Sequence, residues 1–171
     1  DSMSESSAKI LLTGAYGFVG SRYRTLHSDC IPLPRDLDLR DSQEVSRVIA
    51  ELLSTHTVSG VIHLAALSNP KLSFENVSEV WATNVMGTVN LSEALASAGF
   101  RGRFLYVSTG GAYSVGADAI TEKTAVEPRS PYVASKLAGE IALKEWSQRH
   151  LLEMIVVRPF THSGPGQSSQ Y

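Results

Sequence analysis

Apolar residues along this chain come in short unbroken runs, and the stretches between them repeat every three or four positions. "KILLT" (9–13), "CIPL" (30–33), "GVIHLAA" (60–66), "FLYVST" (104–109) and "MIVVRP" (154–159) are runs of strand length. Between them the pattern takes a helical period. Residues 17–26 suit a helix. Residues 42–53 carry Val45, Val48, Ile49, Leu52 and Leu53 at helical spacing, with Ser42 as N-cap. Residues 76–98 read as a long helix, and 131–149 as another, with Ser130 as cap and Pro131 at its first position. Strands that feed helices in turn predict a parallel sheet, and near-continuous apolar strands predict burial on both faces. The expected fold class is therefore α/β, a doubly wound parallel sheet over residues 9–160.

Composition narrows the picture. The 171 residues, 43% hydrophobic and 19% charged, match one ordinary globular domain. A net charge of −2 with no basic run argues against a nucleic-acid surface. The apolar runs fall far short of the roughly 20 residues a membrane helix requires. A single cysteine, Cys30, allows no internal disulfide and fits a reducing cytoplasm; at a strand entry it reads as packing rather than as a nucleophile. The five histidines show no metal-ligand spacing, so no metal is expected. His63, inside an apolar strand, reads as a core histidine, and His162 as a loop histidine facing substrate or solvent. Residues 1–8 read as a leader with a tag remnant ahead of Met3, and 161–171 as the start of a truncated substrate-binding region.

Within "LLTGAYGFVG" (11–20), Gly14, Gly17 and Gly20 follow the first strand directly and open the first helix. That arrangement suits a dinucleotide pyrophosphate: a tight turn, backbone close to phosphate oxygens, and free amides at a helix N-terminus. Tyr16, Phe18 and Val19 lie between the glycines and are counted with them as cofactor-binding. At the end of the second strand, "PRDLDLRD" (34–41) gives a mixed signal. Asp36 suits the ribose diol of NAD, and Arg35 the 2′-phosphate of NADP. The short segment between Gly20 and Arg35 favours Arg35, hence NADP, with NAD as the alternative.

Taken together these segments resemble the extended short-chain dehydrogenase/reductase family, the nucleotide-sugar epimerases, dehydratases and reductases. "TGAYGFVG" is similar to that family's TGxxGxxG. "DLRD" (38–41) resembles its segment after the second strand, which implies Asp38 near the adenine amino group, with Leu39 beside it. "HLAA" (63–66) resembles the stretch beneath the cofactor, implying Leu64, Ala65 and Ala66. "NVMGTVNLSEA" (84–94), with Asn84, is similar to the central helix, and "YVSTGGAYS" (106–114) to the strand bearing the catalytic hydroxyl. "YVASK" (132–136) is the family's YxxxK. "RPFTHSGPGQ" (158–167) resembles RPFNHxGPGQ of GDP-sugar members, reductases of GDP-4-keto-6-deoxy-mannose and their dehydratase relatives. It implies Pro159 at the cofactor, and Thr161 stands where those members carry Asn.

Tyr132 and Lys136 are four residues apart on one helix and share a face. Bringing a phenol from a pKa of about 10 to roughly 7 takes about 4 kcal/mol. One ammonium at ~4 Å in an effective dielectric of ~20 supplies about that much. The resemblance implies Thr109 as the hydroxyl that orients the substrate oxygen, with Ser108 as fallback, Tyr132 as proton donor and Lys136 as its tuner; Tyr132 and Lys136 are also cofactor-binding, the ammonium reaching the nicotinamide ribose hydroxyls. The implied activity is NAD(P)-dependent reduction of a nucleotide-linked 4-keto-6-deoxy sugar. An epimerase or dehydratase of the same family, or an inactive cofactor-binding sensor, is the alternative. Gly110 and Gly111 stand where a dehydratase carries its extra acid and base. A homodimer through helices 76–98 and 131–149 is expected. Trp81 and Trp146 read as helix packing, and Glu140, Lys144, Glu145 and Arg149 as a solvated face. These residues alone are expected to turn over weakly or not at all.

Overall fold

β1 (Lys9–Thr13) is the strand around which the sheet is built, pairing in parallel with β2 (Cys30–Pro32) on one side and β3 (Val58–His63) on the other. β4 (Arg103–Val107) and β5 (Glu153–Val157) continue from β3, so the order is β2-β1-β3-β4-β5, all parallel. The structure, a computed structural model, describes residues 8–114, 116, 119–165 and 167. The expected leader, save Ala8, and part of the expected 161–171 region lie outside the described residues. From β1 the chain moves outward to β2, then crosses back to β3. The C-terminal ends of β1 and β3 therefore border a topological switch point, where connections diverge and a crevice opens.

The helices are α1 (Phe18–Leu26), α2 (Ser42–Thr55), α3 (Val77–Trp81), α4 (Gly87–Ser97) and α5 (Pro131–His150). A π-turn over Ala82–Met86 joins α3 to α4 without a break, in place of the uniform long helix expected. α2, α4 and α5 pack side by side, and right-handed crossovers put them on one face with α1 on the other. Leu11, Val61 and Phe104 of the sheet meet Val45, Ile49, Leu95 and Leu143 of those helices in the core. Trp146 packs edge-on to Phe104, ring centroids 5.5 Å apart. Trp81, expected to pack likewise, is 40% exposed. Burial on both faces does not extend to β5, an edge strand: Val156 and Val157 are 39% and 38% exposed.

Two local details depart from expectation. α2 is capped by Asp41 rather than Ser42: its carboxylate accepts from the amides of Gln43 and Glu44 at 3.1 and 3.0 Å and adds negative charge at the helix N-terminus. α5 starts as expected, with the Ser130 hydroxyl accepting from the Val133 amide at 3.1 Å and Pro131 following. β3, β4 and β5 each stop two or three residues early, so "LAA", "ST" and "RP" leave the ladder at its C-terminal edge. One backbone bond still joins the ends of β4 and β5, the Ser108 amide donating to the Val157 carbonyl at 2.7 Å.

His63, 1% exposed, holds this edge together. The Thr88 hydroxyl donates to the Asn84 carbonyl at 2.6 Å, so it accepts from His63 Nε2–H at 2.9 Å. Nδ1 then accepts from the Thr13 hydroxyl at 2.6 Å, and Thr13 Oγ1 accepts the amides of Leu64 and Ala65 at 3.1 and 3.0 Å. The network is complete with a neutral ring. Burial, and secondarily the Lys136 charge, push the imidazole pKa down to about 3. In the unfolded chain the ring titrates near 6.5. The unfolded chain therefore takes the proton first: the stability this group contributes is full above about pH 6.5 and is lost as pH falls towards 3. Urea denaturation midpoints are expected to drop between about pH 6.5 and 4, and a His63→Gln variant, weaker at neutral pH, to lose less over that interval. Equal slopes in the two proteins would refute the assignment.

Candidate functional site

The crevice begins where β1 turns into α1. Gly14 has φ +65°, the left-handed region that favours glycine, and a β-carbon there would lie 2.8 Å from the Ala65 nitrogen. A β-carbon on Gly20 would overlap the Gly14 carbonyl oxygen. Both glycines are thus explained by packing of this chain against itself. Gly17 is not: the nearest atom to its β-carbon position is the Gly14 oxygen at an ordinary 3.4 Å. Gly17 is the N-cap of α1, where it provides no side-chain cap, and the first turn carries no acidic residue. Uncapped amides and the positive end of the helix dipole face the crevice and suit an anion. The residues present therefore fit a dinucleotide pyrophosphate.

Beyond the glycines lies a cleft of about 170 Å³, lined by Tyr16, Leu33, Arg35, Leu39 and Ala65 among others. The Arg24 and Arg35 guanidinium carbons lie 4.5 and 5.9 Å from the centroid of the Tyr16 ring. Among the described residues neither arginine is in an ion pair. Asp36 is exposed next to Arg35. Asp38 is engaged within its own loop: Arg40 Nε and Nη2 donate to its carboxylate at 2.7–3.0 Å and hold its pKa below the usual carboxylate range. From that segment it is Leu39, 8% exposed, that lines the cleft. Leu64 and Ala66 are half-buried beside Ala65, and Val19 is exposed on the first turn of α1.

At the other end, Thr109 follows β4 and caps the short turn Gly110–Ala112, accepting from the Gly111 amide at 3.2 Å. Thr109 is partly open, whereas Ser108 is buried and its hydroxyl has no partner among the described residues. Tyr132 is half-buried in the first turn of α5, and Lys136 is 2% exposed one turn on. Burial lowers the Lys136 pKa to about 7 against an opposing pull from Glu140. The amine that was expected to be simply charged thus titrates near neutrality. Pro159 reaches this end through its carbonyl, which accepts from the Gly110 amide at 2.8 Å. A β-carbon on Gly110 would come within 2.9 Å of Pro159 O and the Phe160 ring.

Asn84, in the π-turn and 1% exposed, ties the two ends together. Its Oδ1 accepts from the Leu67 amide at 2.8 Å, and its Nδ2 donates to Leu67 O at 3.1 Å and to Ser135 Oγ at 2.9 Å. These bonds join the π-turn to the segment after β3 and to α5. His162 stacks on Phe18, centroids 6.0 Å apart, and so lies over the start of α1. The Cys30 thiol is half-buried in β2 and burial raises its pKa, the reverse of an activated nucleophile. No group of three metal-ligating side chains occurs among the described residues.

Lys144, Glu145 and Arg149 are exposed as expected, but Glu140 is not part of a solvated face. Its side chain is 12% exposed and takes a two-pronged bond from Arg158 at 2.9 and 2.6 Å. The spacing that puts Tyr132 and Lys136 on one face extends to Glu140, four residues further, and was the signal for it. Arg24 had no such signal; it does not line the cleft itself, and only the folded position of Tyr16 brings it against that cleft-lining ring.

The NAD dependent epimerase/dehydratase family matches residues 10–171. GDP-6-deoxy-D-mannose reductase of Pseudomonas aeruginosa is 33% identical over 95% of this chain and 55% of the reductase. The dTDP-glucose 4,6-dehydratase of Streptomyces niveus is 31% identical over 93% of this chain and 55% of its own. Among solved structures, RMD from Pseudomonas aeruginosa complexed with NADPH matches with a TM-score of 0.84 at 33% identity, over 96% of this chain and 58% of that one. UDP-glucose 4-epimerase of Thermus thermophilus in complex with NAD matches with a TM-score of 0.75 at 28% identity, over 88% and 54%. The chain spans about 55% of the length of the curated relatives it matches.

The division among the glycines is measurable without any ligand. Gly20→Ala is expected to cost about 3 kcal/mol or more, because fixed backbone stands where its methyl would go. Gly17→Ala is expected to cost about 1 kcal/mol or less. Thermal melts of the two variants compare them, and similar losses would contradict the division.

Proposed function

The chain belongs to the NAD dependent epimerase/dehydratase family, and from that premise we propose that it binds NADP(H) and reduces the carbonyl of a nucleotide-linked 4-keto-6-deoxy sugar, a GDP-sugar by preference. The observation that carries the reading is the pairing of an anion-ready crevice with a buried amine one helical turn from a phenol, both at the C-terminal edge of the sheet. A nicotinamide dinucleotide bound in the crevice would supply the hydride. The Thr109 hydroxyl hydrogen-bonds the sugar carbonyl oxygen. The Tyr132 hydroxyl gives that oxygen its proton as the carbonyl carbon becomes tetrahedral. Lys136, in its protonated form, stabilises the phenolate left behind.

Support for NADP over NAD comes from Arg24 and Arg35, two guanidiniums with no ion pair among the described residues, both gathered on Tyr16 and one of them, Arg35, lining the cleft. A phosphate dianion is the group that such a pair suits. Support for reduction over dehydration comes from Gly110 and Gly111. At Gly110 a side chain would strike Pro159 and Phe160, so a carboxylate has no room there. The likeness to a GDP-6-deoxy-D-mannose reductase supports the choice of nucleotide. The lone half-buried Cys30 supports a reducing cytoplasm as the compartment. Ile141, Met86 and Trp81, at 73%, 51% and 40% exposure on α5 and the α3–α4 helix, support a homodimer through those helices.

Slow turnover is expected of these residues alone, so the test detects product rather than rate. Protein at high concentration is incubated with NADPH deuterated at the transferable position and GDP-, dTDP- or UDP-linked keto-sugars. Mass spectrometry is expected to find the label in the GDP-sugar, and not when Tyr132→Phe is used, although that variant still binds cofactor. Saturable cofactor binding with no label in any sugar would replace the reductase with a cofactor-binding sensor. In the same titrations Arg35→Ala and Arg24→Ala are each expected to weaken NADPH binding about tenfold, and to leave NADH binding within about twofold. Light scattering is expected to give the mass of two chains, falling to one in Ile141→Glu; a monomeric parent chain would remove the homodimer.

A further inference from the structure

Lys136 sits in a demanding place for an amine. It is 2% exposed, and no described carboxylate comes within ion-pair distance of its Nζ. Glu140, the nearest acidic residue along α5, is already engaged by Arg158 at 2.9 and 2.6 Å. What does meet the amine is the ring of Tyr106, whose centroid is 4.2 Å from Nζ. Tyr106 lies on β4 and is completely buried. Its hydroxyl donates to the backbone carbonyl of Lys136 at 3.3 Å, so one side chain grips both ends of one lysine. Gly139 makes the grip possible, since a β-carbon there would overlap the Tyr106 hydroxyl.

We infer that Tyr106 is a positioning residue for Lys136: its ring face supports the ammonium in the dry interior, and its hydroxyl fixes the helical turn that presents the amine. The electron-rich face of an aromatic ring stabilises a cation most where water is excluded. The inference deepens the proposed function, because it rests on Lys136 as the amine beside the phenol. The other groups around the amine do not take this part. His63 of β3 is neutral and can only be penalised by the charge. Asn84 and Thr88, from the π-turn and α4, are uncharged and committed to Leu67, Ser135 and the Asn84 carbonyl. Tyr132 and Glu140 lie on the same helix as Lys136, and Arg158, after β5, spends its charge on Glu140.

The test reads Lys136 directly in the cofactor-free protein, so it stands whether or not NADPH binds. The chain is labelled with ¹³C,¹⁵N-lysine and the side-chain resonances are followed against pH. Lys136 is assigned by loss of its signal in Lys136→Met and compared with Lys9, Lys71, Lys123 and Lys144. Tyr106→Leu, which removes the ring, is expected to lower the Lys136 midpoint by about one pH unit. Tyr106→Phe, which keeps the ring, is expected to leave it within a few tenths. A midpoint unchanged in Tyr106→Leu overturns the inference. Should Tyr106→Leu fail to fold, phenylalanine analogues of increasing ring fluorination at position 106 keep the shape while draining the face of negative potential. A midpoint that falls stepwise along that series supports the inference, and a flat series overturns it.

Discussion

Backbone lying directly on backbone at the end of β1 is the constraint from which the rest follows. The Gly14 turn closes against Ala65 on one side and Gly20 on the other, with no room for a β-carbon on either glycine. That contact brings α1 down onto the strand edge and aims its first turn at the crevice instead of at solvent. It also fixes the segment after β3, because Thr13 accepts the Leu64 and Ala65 amides while its own proton goes to His63. Remove the close approach and the helix N-terminus, the crevice floor and the buried histidine lose their common reference. A sheet with a switch point offers a crevice in any case; the two crowded glycines set the first turn of α1 at its edge.

The second half of the site follows a different logic. An amine is buried on α5 where burial alone drives it towards neutrality, yet the chemistry proposed for it needs charge. Among the described residues no carboxylate in contact resolves this. Glu140 acts from a distance and is itself held by Arg158, whose guanidinium also lies 5.1 Å from the Tyr113 ring centroid. A directly paired lysine would be pinned and its charge cancelled, whereas an amine on a ring face, with a midpoint near neutrality, can respond to what binds beside it.

How much of this could be read from the chain depends on whether the signal was local. The strands, the helices and the Ser130 cap are written in short-range periodicity, and all appear in the structure. The glycine spacing announced the crevice, and the four-residue spacing of Tyr132 and Lys136 placed them together. What failed was long-range or depended on competition. Asp41 and Ser42 are both good caps, and the carboxylate won. Glu140 looked like one more surface charge until Arg158, eighteen positions along the chain, met it. Trp81 reads as core by composition, and the packing of α3 leaves it open. Tyr106 is a strand residue like its neighbours; nothing in "FLYVST" distinguishes it from a packing aromatic, since its partner arrives from a helix thirty residues further on.

Asn84 shows why the two halves cannot be treated as separate devices. A regular α-helix from Val77 to Ser97 would present residue 84 in step with its neighbours. The π-turn at Ala82–Met86 inserts an extra residue in the turn and breaks that phase. The amide then reaches two places at once: the backbone of Leu67, which continues the crevice floor, and Ser135, which sits between Tyr132 and Lys136. Ser135 passes the connection on by donating to the Tyr132 carbonyl at 2.7 Å. The bond to Ser135 is buried, so an unmet group on either side of it would cost the desolvation of a polar atom; those to Leu67 and from Ser135 to Tyr132 are part-buried. Any shift of the floor relative to α5 must break one of these bonds first. The placement of the segment after β3 relative to α5 is therefore set by the protein itself, ahead of any ligand.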